Sequence, residues 1–359
     1  MIPPISIDGT DITGATIDGV EVDEITVDGT PVFSAGPDAV FAASAGDVIA
    51  FDITDGSQIW LFDTQSFVES GINVDKNAVY VGSAFISPEE LFALDITDGS
   101  ELWSFSSGDF FISDIAVDST AVYAGSGDNN VYALDKSNGS QNWSFSTGGQ
   151  VTAGMAVDST AVYAGSGDNN VYSLDKSNGS QNWSFSTGSS ISGGIAVDDS
   201  AVYAGSNDNN VYALDKSNGS QIWSFSTGDQ INSGIAVDDT AVYAGSNNEN
   251  LYAIDINNGT QLWSFDTGGD VRSGIAIDDT AVYVGGRSQN LRSIDKSNGS
   301  QNWSFSTGGQ IVSGIAVDDN AVYAGSNDGN MRAIDVNNGS LIWATSTGND
   351  FASGVTLSS

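Results

Sequence analysis

The sequence predicts an all-β protein: an eight-bladed β-propeller of four-stranded blades, its ring closed by the C-terminal strand, with an N-terminal β-rich arm. Three observations predict it. The tryptophans, Trp60, Trp103, Trp143, Trp183, Trp223, Trp263, Trp303 and Trp343, are spaced by 43 residues and then six times by 40. Each interval holds four short runs rich in β-branched and aromatic residues, parted by Gly, Asn, Asp and Ser. No stretch shows the periodicity of an amphipathic helix. A period near 40 with four strands in it is a propeller blade.

One unit, residues 114–148, shows the plan. Strand one is expected at Ile115–Val117, strand two at Ala121–Gly125, strand three at Val131–Asp135 and strand four at Gln141–Ser146. Asn138-Gly139 stands between strands three and four, the dipeptide of a two-residue hairpin whose turn positions both need positive φ. Strands two, three and four recur eight times, first as Ala39–Ala43, Val48–Asp52 and Gln58–Phe62. The earliest strand one comes only at Ser70–Val74, in the second unit. Blade one therefore takes its inner strand from Phe351–Leu357, which closes the ring and removes an open edge. Residues 38–359 form the propeller, and residues 1–37 an arm for anchoring or oligomerisation.

The motif Ala133-Leu134-Asp135-x-x-x-Gly139-x-x-x-Trp143 resembles the tryptophan-docking repeat of PQQ-like, quinoprotein-type propellers. It recurs as Ala213/Asp215/Gly219/Trp223, Ala253/Asp255/Gly259/Trp263 and Ala333/Asp335/Gly339/Trp343, and Asp, Gly and Trp keep their spacing in all eight copies. Here Asn or Asp precedes the Gly where the family usually has Thr. All eight tryptophans are read as structural, each ring wedged between neighbouring blades with its N–H on a backbone acceptor.

The wider family includes quinoprotein dehydrogenases, which bind PQQ and calcium over the central channel. That activity implies a carboxylate base, calcium ligands and, in many members, a vicinal Cys pair, and this chain has no Cys. Asp135-Lys136-Ser137-Asn138-Gly139-Ser140 repeats at 175–180, 215–220 and 295–300. Such uniform blades supply rings of one side chain, whereas a reaction centre needs different groups converging on a point. The longest inserted loop, Ser83–Glu90, is too short for a lid. No catalytic residue, metal or cofactor is expected. The Asp-rich turns lack the further carboxylates of a calcium loop, and Lys136 adds the wrong charge. The Asn138-Gly139-Ser140 sequons are explained by the turn without any sugar.

Composition narrows the partners. With 46 acidic and 9 basic side chains and no His, the net charge is −37. Nucleic acid is excluded, because binding it needs a basic surface that displaces counterions. Membrane insertion is not expected, since no apolar run approaches the ~20 residues of a spanning helix. The lack of Cys and His removes disulfides, thiolates, zinc sites and imidazole chemistry. Self-repulsion at this charge would loosen a fold in dilute buffer. In molar salt the Debye length falls to ~3 Å and the carboxylates hardly interact. The balance fits a protein of a halophile.

Strand order sorts the connections onto two faces. One–two and three–four turns share a base face, which carries Lys76, Lys136, Lys176, Lys216 and Lys296 with the acid pairs at 198–199, 238–239, 278–279 and 318–319. The other, the loop face, carries every arginine. Arg272 opens strand one of blade seven and Arg287 lies in its two–three loop. Arg292 and Arg332 open strand three of blades seven and eight, where Tyr132, Tyr172, Tyr212 and Tyr252 stand elsewhere. Four guanidiniums in one sector are a candidate anion or partner site for a sulfate, a uronic acid or a carboxylate-bearing glycan. Alternatively each pairs with a nearby acid such as Asp270. The loops vary between blades, as in Asp128-Asn129-Asn130 and Gly149-Gln150, and offer aromatics at Phe85, Phe110, Phe111 and Phe351. That is how a rigid scaffold presents a recognition surface.

The arm repeats Ile7-Asp8-Gly9, Ile17-Asp18-Gly19 and Val27-Asp28-Gly29, short strands with Asp-Gly turns. It is too poor in apolar residues for its own core, so pairing with another chain is expected. Met1-Ile2-Pro3-Pro4 opens neither a charged n-region nor an apolar h-region, so no secretion signal is expected. Val22-Asp23-Glu24-Ile25-Thr26-Val27-Asp28-Gly29-Thr30-Pro31-Val32-Phe33 resembles a segment of structural proteins of tailed viruses. With the halophilic composition this implies a non-enzymatic virion protein of a haloarchaeal virus, made in the host cytoplasm. Its propeller would serve host attachment or decoration by meeting a host surface protein or glycan. Its arm would meet other virion proteins, in a homo-oligomeric assembly. The alternatives are a cytoplasmic or cell-surface haloarchaeal scaffold that binds proteins, and a reduced quinoprotein oxidoreductase.

Overall fold

The computed structural model describes residues 38–84 and 89–358, with the backbone of four short strands between residues 5 and 34. Eight antiparallel four-stranded sheets follow one another along the chain. Blade three is Ile115–Val117, Ala121–Gly125, Asn130–Asp135 and Gln141–Ser146, in that order from the axis outward. Blade one is Phe351–Leu357, Ala39–Ser44, Asp47–Asp52 and Gln58–Asp63, joined where Phe351 pairs with Ser44 and Leu357 with Val40. The inner strand Phe351–Leu357 lies beside both Ile315–Val317 of blade eight and Ile72–Val74 of blade two. The ring is closed.

Middle strands such as Ala121–Gly125 are buried along their whole length. Both blade faces pack on neighbours, so these strands read as continuous apolar runs without alternation. The described core divides into eight clusters, each shared by two adjacent blades. In one of them, Tyr80, Leu91 and Trp103 of blade two meet Ile115, Val122 and Leu134 of blade three.

The repeated motif is the joint between blades. Trp103 Nε1 donates to the Lys136 carbonyl of the next blade at 3.0 Å, and Trp343 Nε1 closes the series on the Ile53 carbonyl at 2.8 Å. Gly139 has φ +71°, and a Cβ there would sit 2.7 Å from the Trp103 ring. Backbone handedness and ring contact both require glycine. Asp135 Oδ1 caps the turn by accepting the Ser137 N–H at 2.9 Å.

The turn itself differs from the expected two-residue hairpin. Gly139 has positive φ but Asn138 does not. The loop spans four residues, closed by Gly139 N–H to Asp135 O at 2.8 Å and Asp135 N–H to Ser140 O at 2.7 Å. A bulge follows, since Ala133 pairs with Trp143 but Leu134 with Gln141. Asn138 acts through its side chain, its Oδ1 accepting the Ser140 N–H at 2.9 Å.

In the arm, Ile5–Ile7, Thr10–Ile12, Glu24–Val27 and Thr30–Ser34 pair in that order as an antiparallel sheet. The Asp8-Gly9, Asp18-Gly19 and Asp28-Gly29 turns lie outside the described residues.

Candidate functional site

On the base face the lysines are struts. Lys136 Nζ bonds the Asp75 carboxylate of the preceding blade at 2.5 Å and the Asp118 carbonyl of its own at 3.1 Å. Lys176–Asp118, Lys216–Asp158 and Lys296–Asp238 repeat the joint at 3.0, 3.2 and 2.7 Å. Each carboxylate also accepts a buried phenol, as in Tyr80 OH to Asp75 at 3.2 Å. Burial alone would raise these carboxyls. Backbone N–H groups, the ammonium and the turn hydroxyl outweigh it and hold Asp118, Asp158 and Asp238 far below the ordinary carboxylate range.

On the loop face the two–three turn places Asn129 at φ +73°. Tyr132, Tyr172 and Tyr212 donate their hydroxyls to Asp128, Asp168 and Asp208 at 2.5, 2.6 and 2.7 Å. Burial, reinforced by that carboxylate, pushes the phenols of Tyr172 and Tyr212 up to about 12. In blade eight Arg332 takes the tyrosine's place and forks onto both oxygens of Asp328, with the Ser326 hydroxyl accepting at 2.9 Å. Burial of Asp328 is outweighed by that guanidinium, which lowers its carboxyl to about 2.

The four arginines of the expected site therefore part company. Arg272 and Arg287 share Asp270, at 3.3 and 3.4 Å. Arg332 is committed to Asp328. Arg292 donates to the Ser288 hydroxyl at 2.7 Å, and burial lowers its pKa. Pairing with nearby acids describes three of the four, and Arg287, half exposed, has the most open guanidinium.

The loop aromatics also need correction. Phe111 and Phe351 are core residues, 1% and 0% exposed, in the places held by Val151, Ile191 and Ile231 in other blades. Phe110 lies over Gly127, where a Cβ would come within 2.6 Å of its ring. Phe85 lies outside the described residues. Phe67 is the large apolar side chain exposed beside these loops, at 48%.

Along the axis, every blade lines a cavity of about 240 Å³. Backbone N–H groups of Gly154, Gly194, Gly234, Gly274, Gly314, Gly354 and Gly71 each reach the carbonyl of the next blade's inner strand, at 2.9–3.3 Å. Glycine is needed for that approach: a Cβ on Gly354 would lie 2.5 Å from the Ile72 nitrogen. Asp114 holds the eighth position, and the corresponding bond to Ala153 is not made there. Asp114 is exposed to the channel, and desolvation by the inner strands crowded around it raises its carboxyl above the ordinary value. Arg272 and Glu69 line the same cavity, and Arg272 Nε is buried without a partner. The sequence reading missed this ring, although Ser-Gly before strand one, at 70–71, 233–234, 273–274, 313–314 and 353–354, was its signal.

A family model described as outer membrane protein assembly factor BamB matches residues 44–189, 167–273 and 247–359. Among solved structures, BamB from Moraxella catarrhalis is similar over 82% of this chain and 93% of that one, with 21% identity and a TM-score of 0.69. The computationally designed Ika8 protein is similar over 84% and 98%, with 18% identity and a TM-score of 0.72. No curated protein matches. These likenesses concern the fold.

The axial residues do not fit PQQ. That cofactor is a planar tricarboxylate, which calls for several cationic donors. The cavity offers one guanidinium, Arg272, already paired with Asp270, beside the carboxylates of Glu69 and Asp114.

Proposed function

The chain belongs to the BamB-type family of PQQ-like repeat β-propellers, and from that premise we propose a non-enzymatic display protein. It is a structural or surface component of a tailed virus of haloarchaea, its propeller presented for host attachment or decoration and residues 1–37 anchoring it to the particle. The uniformity of the blades supports this most. The same base-face Tyr–Asp pair recurs in blades two to eight and the Lys–Asp joint in four places, while the loop face varies between blades and leaves Arg287 and Phe67 exposed. Many displayed copies would let weak contacts sum to useful avidity. The charge of −37 suits molar salt, where such a surface stays soluble.

Electron microscopy of purified particles from a halophilic host, with this chain labelled, tests the reading. Label on the particle supports it; label confined to the host cell overturns it. A second reading, a cellular scaffold that binds proteins through the same loop face, draws on the assembly-factor description of the family. Recovery of the chain with host envelope proteins in uninfected cells favours that one. Calcium-dependent dye reduction on adding PQQ would overturn both in favour of a reduced oxidoreductase.

A further inference from the structure

We infer that the arm sheet packs one face against the outer rim of blades eight, one and two of its own chain. The register pairs Ile5 with Ile12, Ile12 with Ile25 and Ile25 with Phe33. Directly paired residues share a face, so one row across all four strands is apolar. The neighbouring row pairs Ser6 with Asp11 and Asp11 with Thr26. A small one-sided sheet of this kind is not stable alone and must cover its apolar face.

The rim supplies a matching surface in one place. The residue before each docking tryptophan is Asn142, Asn182 and Asn302 in blades three, four and seven. In blades eight, one and two it is Ile342, Ile59 and Leu102, exposed at 46, 39 and 50%. Leu341 and Leu61, where blade three has Gln141 and Ser144, add two more at 47 and 44%. Blades five and six show one each, Ile222 and Leu262. Single exposed apolar residues are ordinary, whereas a run across three blades marks a contact surface.

Chain length sets the occupant. The last arm strand ends at Ser34 and the first propeller strand begins at Ala39, a reach of at most ~18 Å at ~3.6 Å per residue. The Asp38 carbonyl accepts the Ile53 N–H at 3.3 Å, so the chain arrives beside the turn that leads into Gln58–Asp63. At ~4.8 Å per strand, the rim of blade one lies ~10 Å from Ala39. A tether this short gives the arm an effective concentration near the millimolar range over that arc, which favours its own chain over a second copy. The arm has seven acidic and no basic residues, so the contact with an acidic propeller is apolar and strengthens with salt. The inference concerns the fold of the chain and stands whether or not the virion reading does.

The test gives the rim the residues of its sister blades: Ile59→Asn, Leu61→Ser, Leu102→Asn, Leu341→Gln and Ile342→Asn together, in the full chain in molar KCl. The expected result is cleavage of the arm by Glu-C protease at least tenfold faster than in the parent, with an unchanged propeller melting temperature and a monomeric mass throughout. Equal cleavage rates overturn the inference. So does a parent dimer that the substitutions dissociate, because the seat then belongs to a second copy. A second measurement leaves most of the rim intact. Phe33→Cys with Leu61→Cys introduces the only cysteines, and a flexible bis-maleimide should join them within one chain. Cross-links between chains, or none, overturn it.

Discussion

The indole of Trp343 lies on Gly56 and donates its N–H to the Ile53 carbonyl, so blade eight grips the three–four turn of blade one. It is the same joint as Trp103 on Gly139, made here between residues 290 positions apart. Gly56 has φ +72°, and a Cβ there would lie 2.4 Å from the ring. Gly56→Ala should cost about 2–3 kcal/mol from the strained turn and overpacking together. Gly108, at φ +89° with open space around it, isolates the turn: Gly108→Ala should cost only about 1 kcal/mol. Denaturant melts in molar salt compare the two.

Asp114→Gly gives the axial ring its eighth glycine. Because desolvation raises the Asp114 carboxyl, the native fold binds that proton more tightly than the unfolded chain does. Its stability penalty is absent below the unfolded value of about 4 and appears as pH rises from there through the folded value. The variant should therefore gain on the parent above pH ~4, helped by a new backbone bond to Ala153 worth about 1 kcal/mol. Melting curves at several pH values would show it, and an equal difference at all of them would refute the electrostatic part.

The base-face carboxylates have the opposite sign. Asp118, Asp158 and Asp238 are held below their ordinary values, so their contribution is full above pH ~4 and is lost as pH falls through the folded values. Acid unfolding should begin below pH ~4. Lys176→Ile, which introduces the residue found at 53, 96 and 256, should cost about 1 kcal/mol or less in dilute salt and less still in molar KCl. Urea midpoints at the two salt concentrations check this.

Arg292→Tyr with Arg332→Tyr restores the tyrosines of blades three to six. The phenol introduced by Arg332→Tyr would face Asp328 as Tyr172 faces Asp168, so the melting temperature should stay within a few degrees. If the arginine sector recognises an anionic host glycan, binding to host cell-surface material should fall at least tenfold. Undiminished binding would leave these arginines as internal ties.

Much of the fold was legible because repetition compares each blade with seven others. Trp, Gly and Asp at fixed spacing identified the joint, and the absent strand before Ala39 pointed to Phe351–Leu357. The turn at Asn138-Gly139 was misjudged because local propensity favours a two-residue hairpin, while the indole of the neighbouring blade fixes where the glycine falls. Phe111 and Phe351 looked like loop residues, since their burial comes from the adjacent blade and not from their own strand. The arginine partners were hidden for a similar reason: Asp328 precedes Arg332 by one turn of loop, and only the folded strand brings the carboxylate onto the guanidinium. The axial ring left a faint trace, because Ser-Gly pairs are common wherever strands end.

Blade one borrows a strand from the far end of the chain, with Ala39 and Ser358 hydrogen-bonded across 319 positions. During synthesis at ~5–20 residues per second, its first three strands wait tens of seconds for their partner. Seven complete blades can emerge and stack in that interval, while the nascent chain keeps one unpaired edge. Ribosomal delivery of Phe351–Leu357 is then the latch, and a ribosome stalled shortly before it would leave a nearly finished ring that gapes at a single seam.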